Sequence, residues 1–81
     1  MSEVKQAVVL RFQELCEERG LSFNALANLS GVTPSTVYSL FDDNRNHISI
    51  VTIKILCDGL EITLGEFFSH PLFDELEQEI R

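Results

Sequence analysis

The amino-acid sequence predicts an all-α domain: five short helices followed by a short additional helical segment at the C-terminus. Two observations carry this. Apolar residues recur at three- and four-residue spacing along most of the chain. The periodic stretches are also punctuated by residues that start helices (Ser22, Thr33-Pro34, Ser49, Thr63) or stop them (Gly20, Gly31). At 81 residues the chain is long enough for one small domain, whose core has to be economical.

Taken in order, Ser2 can cap a first helix that runs to about Arg19. Val8, Phe12, Leu15 and Cys16 form its apolar stripe, and Glu14, Glu17 and Glu18 point outward. Gly20 ends this helix and Leu21 anchors the turn. Ser22 caps the second helix, with Leu26, Ala27 and Leu29 expected inward.

The stretch from Phe23 to Asp42, FNALANLSGVTPSTVYSLFD, reads as two helices joined by a glycine turn. Two helices this short cannot bury enough apolar surface to stand alone, so the rest of the chain supports them. In the later helix Thr33 is the N-cap and Pro34 occupies the first position, where a missing N–H costs nothing. With Val37, Leu40 and Phe41 inward, Ser35, Tyr38, Ser39 and Asp42 share the outer face. That face carries short hydroxyls and one aromatic, groups able to bond base edges and phosphates. Read by themselves, they fit an ordinary solvated surface better.

DNRNHIS is a loop, after which Ser49 caps a fourth helix with Ile53, Leu56, Cys57 and Leu60 inward and Lys54 outward. Gly59 lowers helix propensity, so a tight or frayed last turn is expected there. Thr63 and Glu66 form a capping box for the fifth helix, flanked by an Ile62–Phe67 hydrophobic staple. Pro71 begins the last segment, PLFDELEQEIR, with Leu72, Phe73, Leu76 and Ile80 on a narrow stripe. This segment either folds back on the first and fifth helices or docks against its copy in a twofold dimer.

Composition narrows the function. Hydrophobic content of 44% and charged content of 23% fit a folded chain. No apolar run approaches a membrane span and the N-terminus lacks a signal pattern, so a cytoplasmic location is expected. Cys16 and Cys57 occupy apolar helical positions without metal-ligand spacing, which favours buried free thiols. His47 and His70 receive no catalytic or ligand role. The net charge is −7, and residues 51–81 account for −5 of it. Phosphate affinity comes largely from lysine and arginine, so the nearly neutral segment 22–50 permits DNA binding without promoting it.

Ala27, Gly31 four residues on and Val37 six after that resemble the helix-turn-helix of the Cro and phage-repressor (XRE) family. RFQELCEERGL (Arg11 to Leu21) is similar to the family's first helix. Ile53 to Phe68, with its Thr-Ile-x-x-Leu-Cys-x-x-Leu run and Leu-x-x-Phe-Phe close, is similar to the fourth and fifth. The resemblance spans roughly residues 4 to 69. It implies a five-helix lambda-repressor-like domain over residues 1–70, with residues 71–81 as an extension able to make a dimer contact.

Two departures from the family pattern stand out. Many relatives bury an arginine in the first helix against a glutamate in the third; here those positions hold Cys16 and Phe41, both uncharged. Losing both partners strands neither charge, and the pair is expected in contact. Phe23 replaces the usual phosphate-touching glutamine, although N–H groups at that helix N-terminus can still meet a phosphate. An exposed Phe23 ring would suit a thymine methyl or a protein. Pro34 stands where a base-reading glutamine is common.

The resemblance therefore implies a sequence-specific regulator of transcription that binds double-stranded DNA, its third helix (about 33–42) in the major groove. Ser35, Thr36, Tyr38 and Ser39 would read bases, while Ser22, Phe23, Thr33, Arg45 and Asn46 would meet the backbone. Leu72, Phe73 and Leu76 would form a homodimer over a near-palindromic operator. No cofactor or metal is implied. The alternative is a protein-interaction module on the same fold, an antirepressor or an acidic subunit on a basic partner. No paired carboxylates, metal spacing, nucleophile elbow or phosphate loop suggests an enzyme.

Overall fold

The computed structural model describes residues 3–42 and 47–78, the side chain of Phe41 excepted. Regular structure among these residues is helical throughout. In order it runs α1 (Glu3–Arg19), α2 (Phe23–Ser30), α3 (Pro34–Tyr38) continuing into a 3-10 turn (Ser39–Phe41), α4 (Ile50–Gly59), α5 (Leu64–Phe68) and α6 (Pro71–Asp74). This is the predicted all-α architecture. The expected Ser2 cap and the Cys16–Phe41 contact fall outside the described residues and side chains.

Local chemistry accounts for most of the boundaries. Ser22 Oγ accepts from Ala25 N at 3.1 Å, and Ser49 Oγ accepts from Val51 N at 3.1 Å. At α5 both halves of the capping box form: Thr63 N donates to Glu66 Oε1 and Glu66 N to Thr63 Oγ1, each at 3.0 Å. Each bond satisfies a helix-end donor that would otherwise lack an acceptor. Gly31 ends α2 in the left-handed region at φ 72°, a conformation that glycine adopts without steric cost.

Val8, Phe12, Leu15 and Cys16 of α1, Leu26 and Ala27 of α2, Val37 and Leu40 around α3, and Ile53, Leu56, Cys57 and Leu60 of α4 build one core, closed by Phe67. Phe12 and Phe67 rings lie 4.5 Å apart at its centre. Charged side chains finish the helix ends. Arg11 Nε donates to the Phe67 carbonyl at 2.8 Å, and Arg11 also bonds Glu14 and the Glu66 carbonyl. Arg19 donates to the Leu60 carbonyl past the end of α4. Lys5, only 3% exposed, donates to the Asp42 carbonyl at the end of the 3-10 turn. A cation at a helix C-terminus meets orphan carbonyls and the negative end of the helix dipole.

Three expectations need correction. Leu29, expected inward, is 57% exposed. The inward arc of α2 is set by Leu26 and Ala27, and at 3.6 residues per turn Leu29 lies more than a quarter-turn away from its centre. The third helix is α-helical only to Tyr38, because Ser39 Oγ donates to the Thr36 carbonyl at 2.7 Å and the chain tightens to 3-10 bonding. The C-terminal helix covers Pro71–Asp74 and turns at Glu75, shorter than the apolar stripe suggested. The end of α4 tightens as expected: Leu60 N bonds both the Leu56 and Cys57 carbonyls and Glu61 N bonds the Asp58 carbonyl, and Gly59 serves there as a contact point with α2.

The last segment folds back. Phe73 lies 4.9 Å from the Phe68 ring and 5.8 Å from the Phe67 ring, within the chain's own aromatic cluster. His70 holds the entry. Its Nδ1 accepts from Leu72 N at 3.0 Å while Nε2 reaches Glu14 Oε1 on α1 at 3.1 Å. No helix among the described residues is long and apolar enough to cross a membrane.

Candidate nucleic-acid interface

α2 and α3 pack together as a helix-turn-helix around Ala27 and Val37, both fully buried. Val32 N closes the turn on the Ala27 carbonyl at 3.1 Å. A small side chain at Ala27 leaves room for α3 to cross, and Val37 fills the space between the helices. The outward face of α3 is thereby fixed by the core.

Thr33 and Pro34 begin α3 where expected, but the Thr33 side chain makes no cap bond. Its Oγ1 instead lies 2.9 Å from Ser35 Oγ and 3.2 Å from Thr36 Oγ1, so three hydroxyls form one cluster at the helix start. Thr33 and Ser35 are exposed and Thr36 is half-buried. Hydroxyls bonded to one another retain free lone pairs for an incoming donor. Ser39, half-buried, spends its proton on the Thr36 carbonyl and can only accept.

Tyr38, one turn on from Ser35, is 51% exposed. The Phe23 ring meets it edge-on, centroids 6.2 Å apart at 70°. This corrects the expectation of an exposed Phe23. The phenyl is half-buried against the core and braces Tyr38, an arrangement worth about 0.5–1.5 kcal/mol for such aromatic pairs. Ser22 is exposed beside it with its oxygen capping α2, which leaves its O–H available. Thus Ser22, Phe23, Thr33, Ser35, Thr36, Tyr38 and Ser39 all belong to the α2–α3 unit. Arg45 and Asn46 lie outside the described residues.

The expected dimer residues do not form one exposed surface. Phe73 is turned into its own aromatic cluster, whereas Leu72 and Leu76 are half-buried along a groove against α1. Sequence reasoning missed the cation usage. Lys5, Arg11, Arg19 and Lys54 each have an acceptor within the chain, Lys54 through Asp58 one turn on. Among these the Lys54–Asp58 and Arg11–Glu14 pairs have the i, i+4 and i, i+3 spacings that a sequence displays, whereas the bonds to the Asp42, Phe67 and Leu60 carbonyls do not.

Cys16 and Cys57 are buried free thiols, as expected. Burial pushes the Cys16 thiol above its ordinary range and Cys57 up to about 11. Among the described residues no group of three or more His, Cys, Asp or Glu could hold a metal ion.

Comparison with known proteins agrees with this geometry. Residues 11–72 match the model of the Cro/C1-type HTH DNA-binding domain. The fold is similar to the crystal structure of the prophage Lp1 protein 11, with a TM-score of 0.81 and 30% identity. That match covers 94% of this chain and 100% of the other. No curated protein matches the sequence. Family match, helix order and turn geometry agree, and the chain belongs to the Cro/C1-type family of helix-turn-helix DNA-binding domains.

Proposed function

We propose that the protein is a sequence-specific regulator that lays α3 in the major groove of double-stranded DNA. The observation that carries this reading is Tyr38, half exposed on the outer face of α3 one turn on from Ser35, whose hydroxyl meets that of Thr33. Ser35, Thr36, Tyr38 and Ser39 read base edges, Ser39 as an acceptor only. Ser22, the Phe23 N–H, Thr33, Arg45 and Asn46 fix the backbone. Two copies on a near-palindromic operator place their α3 helices on the order of 34 Å apart.

Because the described cations are already bonded within the chain, neutral donors carry most of the phosphate contact. The dependence of affinity on salt is then shallow. Selecting bound fragments from random double-stranded DNA, followed by a salt titration, tests the proposal. It expects an enriched sequence with a shallow slope. Release of on the order of ten ions per protomer would contradict this interface.

The protein-interaction reading is favoured by the same cation usage and by the charge of −5 on residues 51–81. Arg45→Ala separates the two. As a backbone contact its loss weakens binding to many DNA sequences alike; in a protein-only module there is little DNA binding to weaken.

A further inference from the structure

A groove of about 360 Å³ runs between α1 and the C-terminal segment, on residues the DNA reading does not use. Its floor is apolar: Ala7 and Leu10 from one side, Leu72 and Leu76 from the other. Leu10 is 43% exposed, a large apolar side chain on the outer face of α1 that the core does not need. The rim is acidic, with Glu3, Glu75 and Glu77, and no cation among the described residues lines the groove. Apart from Leu72, the residues lining it lie outside the stretch 11–72 that matches the family domain.

We propose that this groove docks a basic amphipathic segment of another protein, whose apolar side chains sit on Leu10, Leu72 and Leu76 while its lysines or arginines meet the Glu3 and Glu75 carboxylates. Charge selects this occupant. In a twofold pair each groove would bring its carboxylates towards those of its mate, in a chain that already carries −7. The proposed homodimer therefore pairs through another surface. A basic segment reverses the sign of that interaction and gains steering from the acidic C-terminal half. The volume suits a few anchoring side chains and lies at the small end of binding pockets. This site is independent of the DNA reading and stands or falls separately.

The test uses the full chain and a labelled synthetic peptide with leucine at helical spacing and lysine elsewhere, followed by fluorescence anisotropy and amide chemical shifts. A matched peptide with glutamate in place of lysine serves as control. The lysine peptide should bind and shift Ala7, Leu72 and Leu76, and the glutamate peptide should not bind. Leu10→Asn removes an apolar contact at an exposed position without adding charge and should weaken binding about tenfold. Glu75→Lys, on an exposed turn, should weaken it severalfold and lower its salt dependence. Undiminished binding by Leu10→Asn would mean that the peptide merely condenses on acidic surface, and would overturn the proposal. So would a dimer in sedimentation that Leu10→Asn splits, since a second copy would then own the groove.

Discussion

Gly59 of α4 lies against Ser30 of α2 so closely that a Cβ built on it would fall 2.1 Å from Ser30 Oγ and 3.1 Å from Ser30 Cα. A hydroxyl can rotate away, but the contact with Ser30 Cα requires the helices to give by a few tenths of an ångström, so Gly59→Ala overpacks the α2–α4 crossing. Overpacking of this kind costs about 1–3 kcal/mol, which outweighs the helix propensity gained from alanine. Ser30 Oγ is itself buried without a hydrogen-bond partner among the described residues. Ser30→Ala should therefore be neutral or stabilising by up to about 1 kcal/mol. Urea denaturation of both variants checks the pair of signs.

Glu61, just after α4, holds φ 59°, a left-handed conformation that costs a non-glycine residue about 1 kcal/mol. Glu61→Gly removes that strain and loses some of the gain to a more flexible unfolded chain. The expected result is a rise in stability of about 0.5 kcal/mol; a fall of similar size in urea titration would contradict it.

The Thr63 backbone N–H, then its hydroxyl contact, hold the Glu66 carboxyl below its ordinary range. A depressed carboxylate stabilises the fold above its unfolded value of about 4.3 and loses that contribution as pH falls through the lower folded value. Glu66→Gln keeps a cap acceptor without the charge and should flatten the acid arm of the stability profile. Thr63→Ala breaks the box and should cost about 1 kcal/mol at neutral pH.

Cys57 titrates the other way. Its folded value of about 11 exceeds the unfolded thiol's value of about 8.5, so stability is intact below the latter and declines between the two. A thiol reagent at neutral pH should label Cys16 and Cys57 only as fast as the domain opens. Rapid labelling of the native protein would show an accessible thiolate.

Features that depend on neighbours in the chain were legible in the sequence. The Ser22, Ser49 and Thr63 caps, the glycine turn at Gly31 and the α1 and α4 stripes each follow from spacing within a few residues. What escaped depends on groups far apart. Lys5 and Asp42 are 37 residues apart, and Arg11 and Phe67 are 56. Their bonds cap helices that a periodicity argument treats one at a time. Gly59 read as a weak helix position because Ser30 is not its sequence neighbour. Within the candidate site, the position of Tyr38 could be read from helical phase. Its brace by Phe23, the inward bond of Ser39 and the hydroxyl cluster of Thr33 required coordinates.

Tyr38 offers the most direct test, because it is a large side chain left 51% exposed on the face assigned to DNA. Binding of the wild-type chain and Tyr38→Ala should be compared on a sequence selected from random duplexes and on an unrelated duplex. The account predicts that the substitution lowers affinity for the selected site about tenfold or more while binding to the unrelated duplex barely changes. An unchanged ratio between the two duplexes, or no enriched sequence at all, would contradict it.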